Sequence, residues 1–112
     1  MAKDDYHVIA YRILAYLYIC LKAGEDIDMQ SIQAEELHIN QRYWEYIMRH
    51  LYQEGYIEGL YLVPVIGKEE KGVKITRALM ITPAGIDFLE SNSAMSRARE
   101  FLKTLKETIP GL

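Results

Sequence analysis

The sequence predicts an α+β fold in which helices precede a β-hairpin, and three observations support it. Residues 34–51 have the apolar spacing of a short helix, a tight turn and a longer helix. Gly55 then stops the helical pattern, because glycine readily adopts the left-handed conformation that ends a helix. Two β-prone runs follow within residues 56–82, and a polar segment bounded by glycines joins them. This order predicts a winged helix-turn-helix with a two-stranded wing hairpin and additional N- and C-terminal helices.

The first helix is predicted over residues 4–24, with Asp4 as its N-cap and Gly24 as its left-handed stop. Its apolar residues lie on nearly every face, whereas a surface helix carries one apolar stripe. We therefore expect this helix to be packed between two other elements. After it, residues 27–29 are predicted to form a short extended segment that pairs with the hairpin.

The helix-turn-helix is predicted over residues 30–54. Its first helix, residues 31–37, is too short to be stable alone and depends on packing. His38 and Ile39 form the turn, and Asn40 is a favourable N-cap for the longer helix. The spacing along that helix places three side chains on its buried face: Trp44, Ile47 and Leu51.

The wing hairpin is predicted over residues 56–82, with strands at residues 56–66 and 73–82. The segment between them, residues 67–72, is charged and begins and ends with glycine. It forms the hairpin tip, which is the wing in this fold.

Two further helices are predicted over residues 83–109. Thr82 is the N-cap of the first of them and Pro83 its first residue, where proline is favourable. The second, residues 93–108, carries an apolar stripe made of Met95, Ala98, Phe101, Leu102, Leu105 and Ile109. With the first helix it forms a layer that either belongs to one molecule or builds a two-fold homodimer.

Composition limits the class of protein. The chain has 112 residues, which suits one domain spanning residues 1–112. The single cysteine, Cys20, excludes an internal disulfide framework and fits a reducing cytosol. Asp4 and Asp5 stand where a signal peptide carries positive charge, and no apolar run approaches the roughly 18 residues of a membrane span. We therefore expect a cytoplasmic protein without a membrane partner.

The third helix and the wing carry the residues that suit a double-stranded DNA partner. Gln41 and Arg42, at the start of the helix, are the residue types that read adenine and guanine. The tyrosines of the helix are placed to contact phosphates or thymine methyl groups, and the other cations to hold the DNA backbone. The complete set of predicted DNA-binding residues is Gln41, Arg42, Tyr43, Tyr46, Arg49, Lys68, Lys71 and Lys74.

Charge is the main argument against a DNA partner. The net charge is −3, whereas phosphate neutralisation supplies most non-specific affinity for DNA. Residues 40–77 contain six basic and five acidic side chains, so the local excess of positive charge is small. Glu45 is predicted in the middle of the DNA-facing surface, and Glu69 and Glu70 dilute the positive charge of the wing. Any affinity for DNA should therefore be modest and should fall steeply with salt.

The chain contains nine tyrosines. Buried tyrosines keep their hydroxyl groups near water or a hydrogen-bond partner, and tyrosine is also enriched at protein interfaces. We expect most of the nine to lie in or at the edge of the core, and the remainder to suit an interface.

No catalytic, metal-binding or cofactor-binding residues are predicted. His7, His38 and His50 have no carboxylate or cysteine at metal-ligand spacing. Cys20 lies on an apolar helix face, where an inert core thiol is expected. The sequence therefore indicates a protein that is not an enzyme.

Four segments resemble the YjcQ family, a group of small winged-helix proteins of Gram-positive bacteria and their phages. They are residues 2–5, 11–17, 81–90 and 101–112, and the resemblance spans the whole chain. Residues 82–89 are also typical of winged-helix regulators in general. The resemblance implies a winged-helix fold and a prophage origin, and it brings no agreed activity and no functional residues.

The sequence thus predicts a DNA-binding transcriptional regulator of phage type, whose third helix enters the major groove. The alternative is a winged-helix protein-interaction module that does not bind DNA. A third interpretation, a ligand-sensing repressor with a pocket beneath the first helix, has no specific residues to support it.

Overall fold

In a computed structural model, which describes residues 4–91, the chain forms four α-helices and a two-stranded antiparallel sheet. Within this range the elements are α1 (Tyr6–Ala23), a short 3-10 helix (Met29–Ile32), α2 (Ala34–Leu37), α3 (Gln41–Gln53), β1 (Ile57–Val63), β2 (Gly72–Ile81) and α4 (Pro83–Ser91). The predicted mixture of helices and a hairpin is confirmed. The predicted last helix, over residues 93–108, lies outside the described residues.

Helix α1 is the centre of the core. Ten of its side chains are buried, and it contacts α3, β2 and α4. The prediction that it lies between other elements is confirmed. It begins at Tyr6 with Asp5, not Asp4, at the N-cap position, and Gly24 ends it in the left-handed region at φ 69°.

The buried face of α3 packs against this core. Trp44, Ile47 and Leu51 are buried as the spacing predicted, and Met48 is buried with them. The indole Nε1 of Trp44 donates a hydrogen bond of 2.7 Å to the carbonyl oxygen of Ile32. Because this bond is buried, it fixes α3 relative to the segment that precedes α2.

The segment between α1 and α2 differs from the prediction. Residues 27–29 do not pair with the hairpin, because the polar groups of Asp28 are used elsewhere. Its carboxylate accepts hydrogen bonds from the amide of Gln30 and the hydroxyl of Ser31, and so caps the 3-10 helix. Its own amide donates to the hydroxyl oxygen of Tyr16 at 2.7 Å.

The helix predicted over residues 31–37 is divided in two. Gln33 has extended backbone angles, φ −77° and ψ 161°, and separates the 3-10 helix from the single turn of α2. His38 then adopts the left-handed conformation at φ 58° and makes the turn. Asn40 is the N-cap of α3, as predicted, and its side chain accepts a hydrogen bond from the amide of Tyr43 at 2.8 Å.

The hairpin is shorter and less regular than the sequence suggested. Val63 pairs with Gly72 near the tip and Leu60 with Ile75, but the register shifts next to Gly59. Gly59 has φ +90°, and a Cβ there would lie 2.1 Å from the carbonyl oxygen of Ala78. The irregularity therefore depends on glycine at this position.

Helix α4 begins as predicted. The hydroxyl of Thr82 accepts a hydrogen bond from the amide of Gly85 at 3.1 Å and donates one to the carbonyl oxygen of Gly55. The ring of Phe88 stacks on Tyr56, with 4.6 Å between centroids. These contacts attach α4 to the turn that follows α3.

Candidate nucleic-acid interface

The hairpin tip is attached to α3 by two side chains of that helix. Arg49 donates a hydrogen bond from Nη1 to the carbonyl oxygen of Lys71 at 3.0 Å. Glu45 accepts a longer one, 3.5 Å, from the amide of Val73. The carbonyl belongs to the tip and the amide to the start of β2, so α3 holds the hairpin where the tip meets this strand.

Glu70, at the tip, lies between two arginines of α3. One carboxylate oxygen is 3.2 Å from Nε of Arg42, and the other is 3.9 Å from Nη2 of Arg49. The side chain of Arg42 is 83% exposed, that of Glu70 is 40% exposed and that of Arg49 only 13%. Arg49 is therefore a fixed part of the surface, whereas Arg42 extends into solvent.

These residues surround a shallow, open depression of about 560 Å³ between α3 and the tip. Its lining consists of Asn40, Arg42, Tyr43, Tyr46, Arg49 and Glu70. The structure thus brings together four of the eight predicted DNA-binding residues.

The two tyrosines of this depression have different surroundings. Tyr43 is half-buried and donates its hydroxyl hydrogen to the carbonyl oxygen of Asp4 at 2.6 Å. Burial, and then the negative charges of Asp4 and Asp5, raise the pKa of Tyr43 above its usual value. Tyr46 is exposed, and its ring lies against His50 with 4.1 Å between centroids. Tyr46 is therefore the more accessible of the two tyrosines.

The other four predicted residues do not line this depression. Lys68 borders an adjoining depression together with Arg42, Glu69 and Glu70. The side chain of Lys71 is exposed beside them. Gln41 lines a separate depression next to α2. Lys74 pairs with Tyr61 in the hairpin and is exposed.

Sequence reasoning missed the roles of the two acidic side chains. Glu45 was expected in the middle of the DNA-facing surface, but it is half-buried and its carboxylate is directed at the hairpin. Glu70 was expected only to dilute the charge of the tip, yet it forms ion pairs with two arginines of α3. No local spacing signals these contacts, because the partners are more than twenty positions apart and meet only when the tip folds onto the helix.

Most tyrosines lie in the core or at its edge, as predicted. Tyr11 and Tyr16 are buried, and four more are partly buried: Tyr6, Tyr18, Tyr43 and Tyr56. The remaining three are exposed: Tyr46, Tyr52 and Tyr61. Tyr61 belongs to an exposed apolar part of the hairpin that also includes Val63, Val65 and the fully exposed Ile66.

Cys20 is buried on α1. Burial raises the pKa of its thiol, although a hydrogen bond with Tyr16 acts in the opposite direction. Among residues 4–91, no three His, Cys, Asp or Glu side chains lie close enough to hold a metal ion. Within the same range, no helix is both long and apolar enough to span a bilayer.

Comparison with known proteins identifies one protein family. A family described as YjcQ protein matches residues 11–108. No curated protein and no solved structure is significantly similar to the chain.

Proposed function

We propose that this chain, which belongs to the YjcQ family, is a winged helix-turn-helix protein that binds double-stranded DNA. Helix α3 enters the major groove, and the hairpin tip contacts the flanking backbone. The observation that carries the proposal is the common face of α3 and the tip, where Arg42 and Tyr46 are exposed beside Lys68 and Lys71.

The order of elements supports the winged-helix assignment. Helices α2 and α3 are joined by a tight turn, and a hairpin follows directly after α3. The face of α3 that carries Trp44 is buried, and the opposite face is left open. This is the arrangement in which a recognition helix docks and a wing lies beside it.

The dimensions of α3 suit the groove. Its 13 residues span roughly 20 Å at the rise of an α-helix, and the major groove of B-DNA admits one helix. Arg42, Tyr46 and Arg49 are four and three positions apart, so they lie along one side of the helix. Gln41 then contacts base edges near its N-terminal end, and Arg42 contacts DNA beside the hairpin tip.

The predicted DNA-binding residues fall into two groups, those that position the surface and those that contact DNA. Arg49 and Tyr43 are engaged within the protein and position the surface. Arg42 and Tyr46 are exposed and reach DNA from α3, while Lys68, Lys71 and Lys74 neutralise phosphates along the hairpin. With a net charge of −3, the protein binds DNA modestly and loses affinity steeply as salt increases.

The resemblance to phage and prophage proteins supports a role as a transcriptional regulator of phage type. Such a regulator reads two half-sites when it is a two-fold dimer. The first and last helices are the predicted homodimer surface, but α1 is packed in the core of one molecule. The predicted last helix, residues 93–108, which lies outside the described residues, is therefore the remaining candidate. Light scattering at high micromolar concentration tests this part, and a monomer mass there contradicts it.

Fluorescence anisotropy of labelled duplex DNA tests the proposal. The duplexes include fragments from upstream of the protein's own gene, and each titration is made at about 50 and about 150 mM salt. Saturable binding that weakens steeply at the higher salt is the expected result. The proposal is overturned if no duplex binds at tens of micromolar protein in low salt.

One observation favours a second function, a protein-interaction module. The hairpin exposes Tyr61, Val63, Val65 and Ile66, and apolar side chains at a hairpin end suit a protein partner. A largely apolar interface keeps its affinity as salt increases, unlike DNA binding. Absence of DNA binding together with a partner retained at high salt supports this second function.

A further inference from the structure

We propose that Arg42 and Arg49 form a binding site for a phosphodiester oxygen, and that the carboxylate of Glu70 occupies this site in the free protein. The inference rests on the proposed function, because it names the group of DNA that the site takes. Glu70 is then a built-in competitor of the nucleic acid.

The geometry supplies the first part of the argument. The two oxygens of Glu70 are directed at different arginines, at 3.2 Å from Arg42 and 3.9 Å from Arg49. A guanidinium group binds carboxylate and phosphate oxygens through the same planar set of N–H donors. A phosphodiester has two non-bridging oxygens that share one negative charge, as a carboxylate does, and they can take both positions of the carboxylate.

One half of the site is already fixed. Arg49 is held by its hydrogen bond to the carbonyl oxygen of Lys71, a bond that does not involve Glu70. Its guanidinium therefore stays in place when the carboxylate leaves, and no ordering of this side chain opposes ligand binding.

The other half is easily opened. The ion pair between Glu70 and Arg42 lies at the surface, since these side chains are 40% and 83% exposed. Surface ion pairs contribute little free energy, so a ligand phosphate displaces the carboxylate at small cost. Glu70 leaves by a side-chain rotation that does not require the main-chain contact of Lys71 to break.

Competition of this kind lowers the affinity for DNA. A ligand binds only the fraction of molecules whose site is open, and its apparent affinity falls by that fraction. Removing the negative charge of Glu70 should therefore strengthen binding of DNA. If Glu70 only fastens the tip to α3, its removal should instead loosen the tip and leave affinity unchanged or weaker.

Two variants separate this effect from general charge repulsion. Glu70→Gln removes the ion pairs with little change in shape, and Glu69→Gln removes the same charge from the neighbouring position. Duplex affinity is measured by anisotropy for the wild type and both variants. We expect Glu70→Gln to bind DNA about two- to fivefold more tightly than Glu69→Gln. Equal affinity of the two variants, with both binding DNA, overturns the inference and leaves the proposed function intact.

A second measurement does not depend on DNA. The Nε–H signal of Arg42 is followed by NMR while inorganic phosphate is added to each protein. The signal should move at a lower phosphate concentration in Glu70→Gln than in Glu69→Gln. If neither the wild type nor either variant binds DNA, but the two variants still differ in their response to phosphate, the anion site is supported and the proposed DNA-binding function is rejected. If phosphate moves the signal equally in both variants, the inference is wrong.

Discussion

Arg49 on α3 donates a hydrogen bond of 3.0 Å to the main-chain carbonyl oxygen of Lys71 at the hairpin tip. The sequence predicts that both residues hold the DNA backbone. In the structure, Arg49 instead holds the main chain of Lys71. Arg49 is largely shielded from solvent, with 13% of its side chain exposed. The hairpin tip is therefore fixed to α3 by the protein's own arginine before any ligand arrives.

Replacing Arg49 should cost stability, whereas replacing Arg42 should not. Arg49→Ala removes a hydrogen bond made by a largely shielded arginine and should lower the free energy of unfolding by about 1 kcal/mol. Arg42→Ala removes a mainly exposed side chain and should change it by less than about 0.5 kcal/mol. Urea denaturation followed by the fluorescence of Trp44 measures both. Equal midpoints for the two variants would show that Arg49 does not fasten the tip.

For DNA binding we expect Arg42 to be the sensitive position. Arg42→Ala should weaken affinity for a bound duplex at least about fivefold, because an arginine contact to a base or phosphate is lost. The control is Arg77→Ala, which removes the same charge from β2 beside Cys20 and Gly24, where Arg77 borders a different depression. Anisotropy titrations at one salt concentration compare the two variants. If both lose affinity equally, charge alone accounts for the effect and α3 is not the reading helix.

Tyr16 should make stability depend on alkaline pH. Burial raises the pKa of Tyr16 to about 12, from 10.0 for the exposed side chain. The unfolded chain therefore releases this proton first as pH rises. The resulting contribution to stability is fully present below about pH 10 and is lost between about pH 10 and 12.

The variant Tyr16→Phe checks this assignment. It removes the acceptor of the Asp28 amide and should lower the free energy of unfolding by about 1 kcal/mol at neutral pH. The steep alkaline loss should also be smaller than in the wild type. Tyr61→Phe, at an exposed position, is the control and should change neither quantity. If Tyr16→Phe loses stability at alkaline pH as steeply as the wild type does, the hydroxyl of Tyr16 is not the cause of that loss.

Gly59 should be far less tolerant of alanine than Gly67. Both have positive φ, but a Cβ at Gly59 meets the main chain of Ala78, whereas at Gly67 it enters open space. Gly67→Ala should cost about 1 kcal/mol from backbone strain alone. Gly59→Ala should cost more than about 2 kcal/mol, because the sheet must also move. Thermal or urea unfolding compares the two variants. Similar losses of stability would mean that the irregular part of the hairpin moves easily to accommodate a side chain.

The thiol of Cys20 should react slowly in the folded protein. It is buried and its pKa is raised by that burial, so little reactive thiolate reaches solvent. A thiol reagent such as a disulfide dye should modify it only after denaturant is added. Rapid modification under native conditions would indicate that α1 opens without global unfolding.

The predictions that hold depend on neighbours close in sequence. The cap at Asn40, the stop at Gly24 and the start of α4 at Thr82 each follow from side-chain or backbone preferences within one helical turn. The burial of α1 also follows from its own apolar pattern.

Other features depend on groups that meet only after the chain folds. The amide of Asp28, the residue that caps the 3-10 helix, donates to the hydroxyl oxygen of Tyr16, twelve positions away. Gly59 is required because Ala78 approaches it across the irregular hairpin. Neither contact leaves a periodic signal in the sequence.

The sequence by itself determined where most elements begin and end and which helix faces are apolar, because these depend on local propensity and on spacing. The tertiary structure alone decided which polar side chains of α3 remain open to a ligand. It held Arg49 and Tyr43 in place with internal hydrogen bonds, left Arg42 and Tyr46 exposed, and set Glu70 between the arginines. The physical reason is that hydrogen bonds and ion pairs act over a few ångströms, and only the docking of the hairpin on α3 brings these groups within that distance.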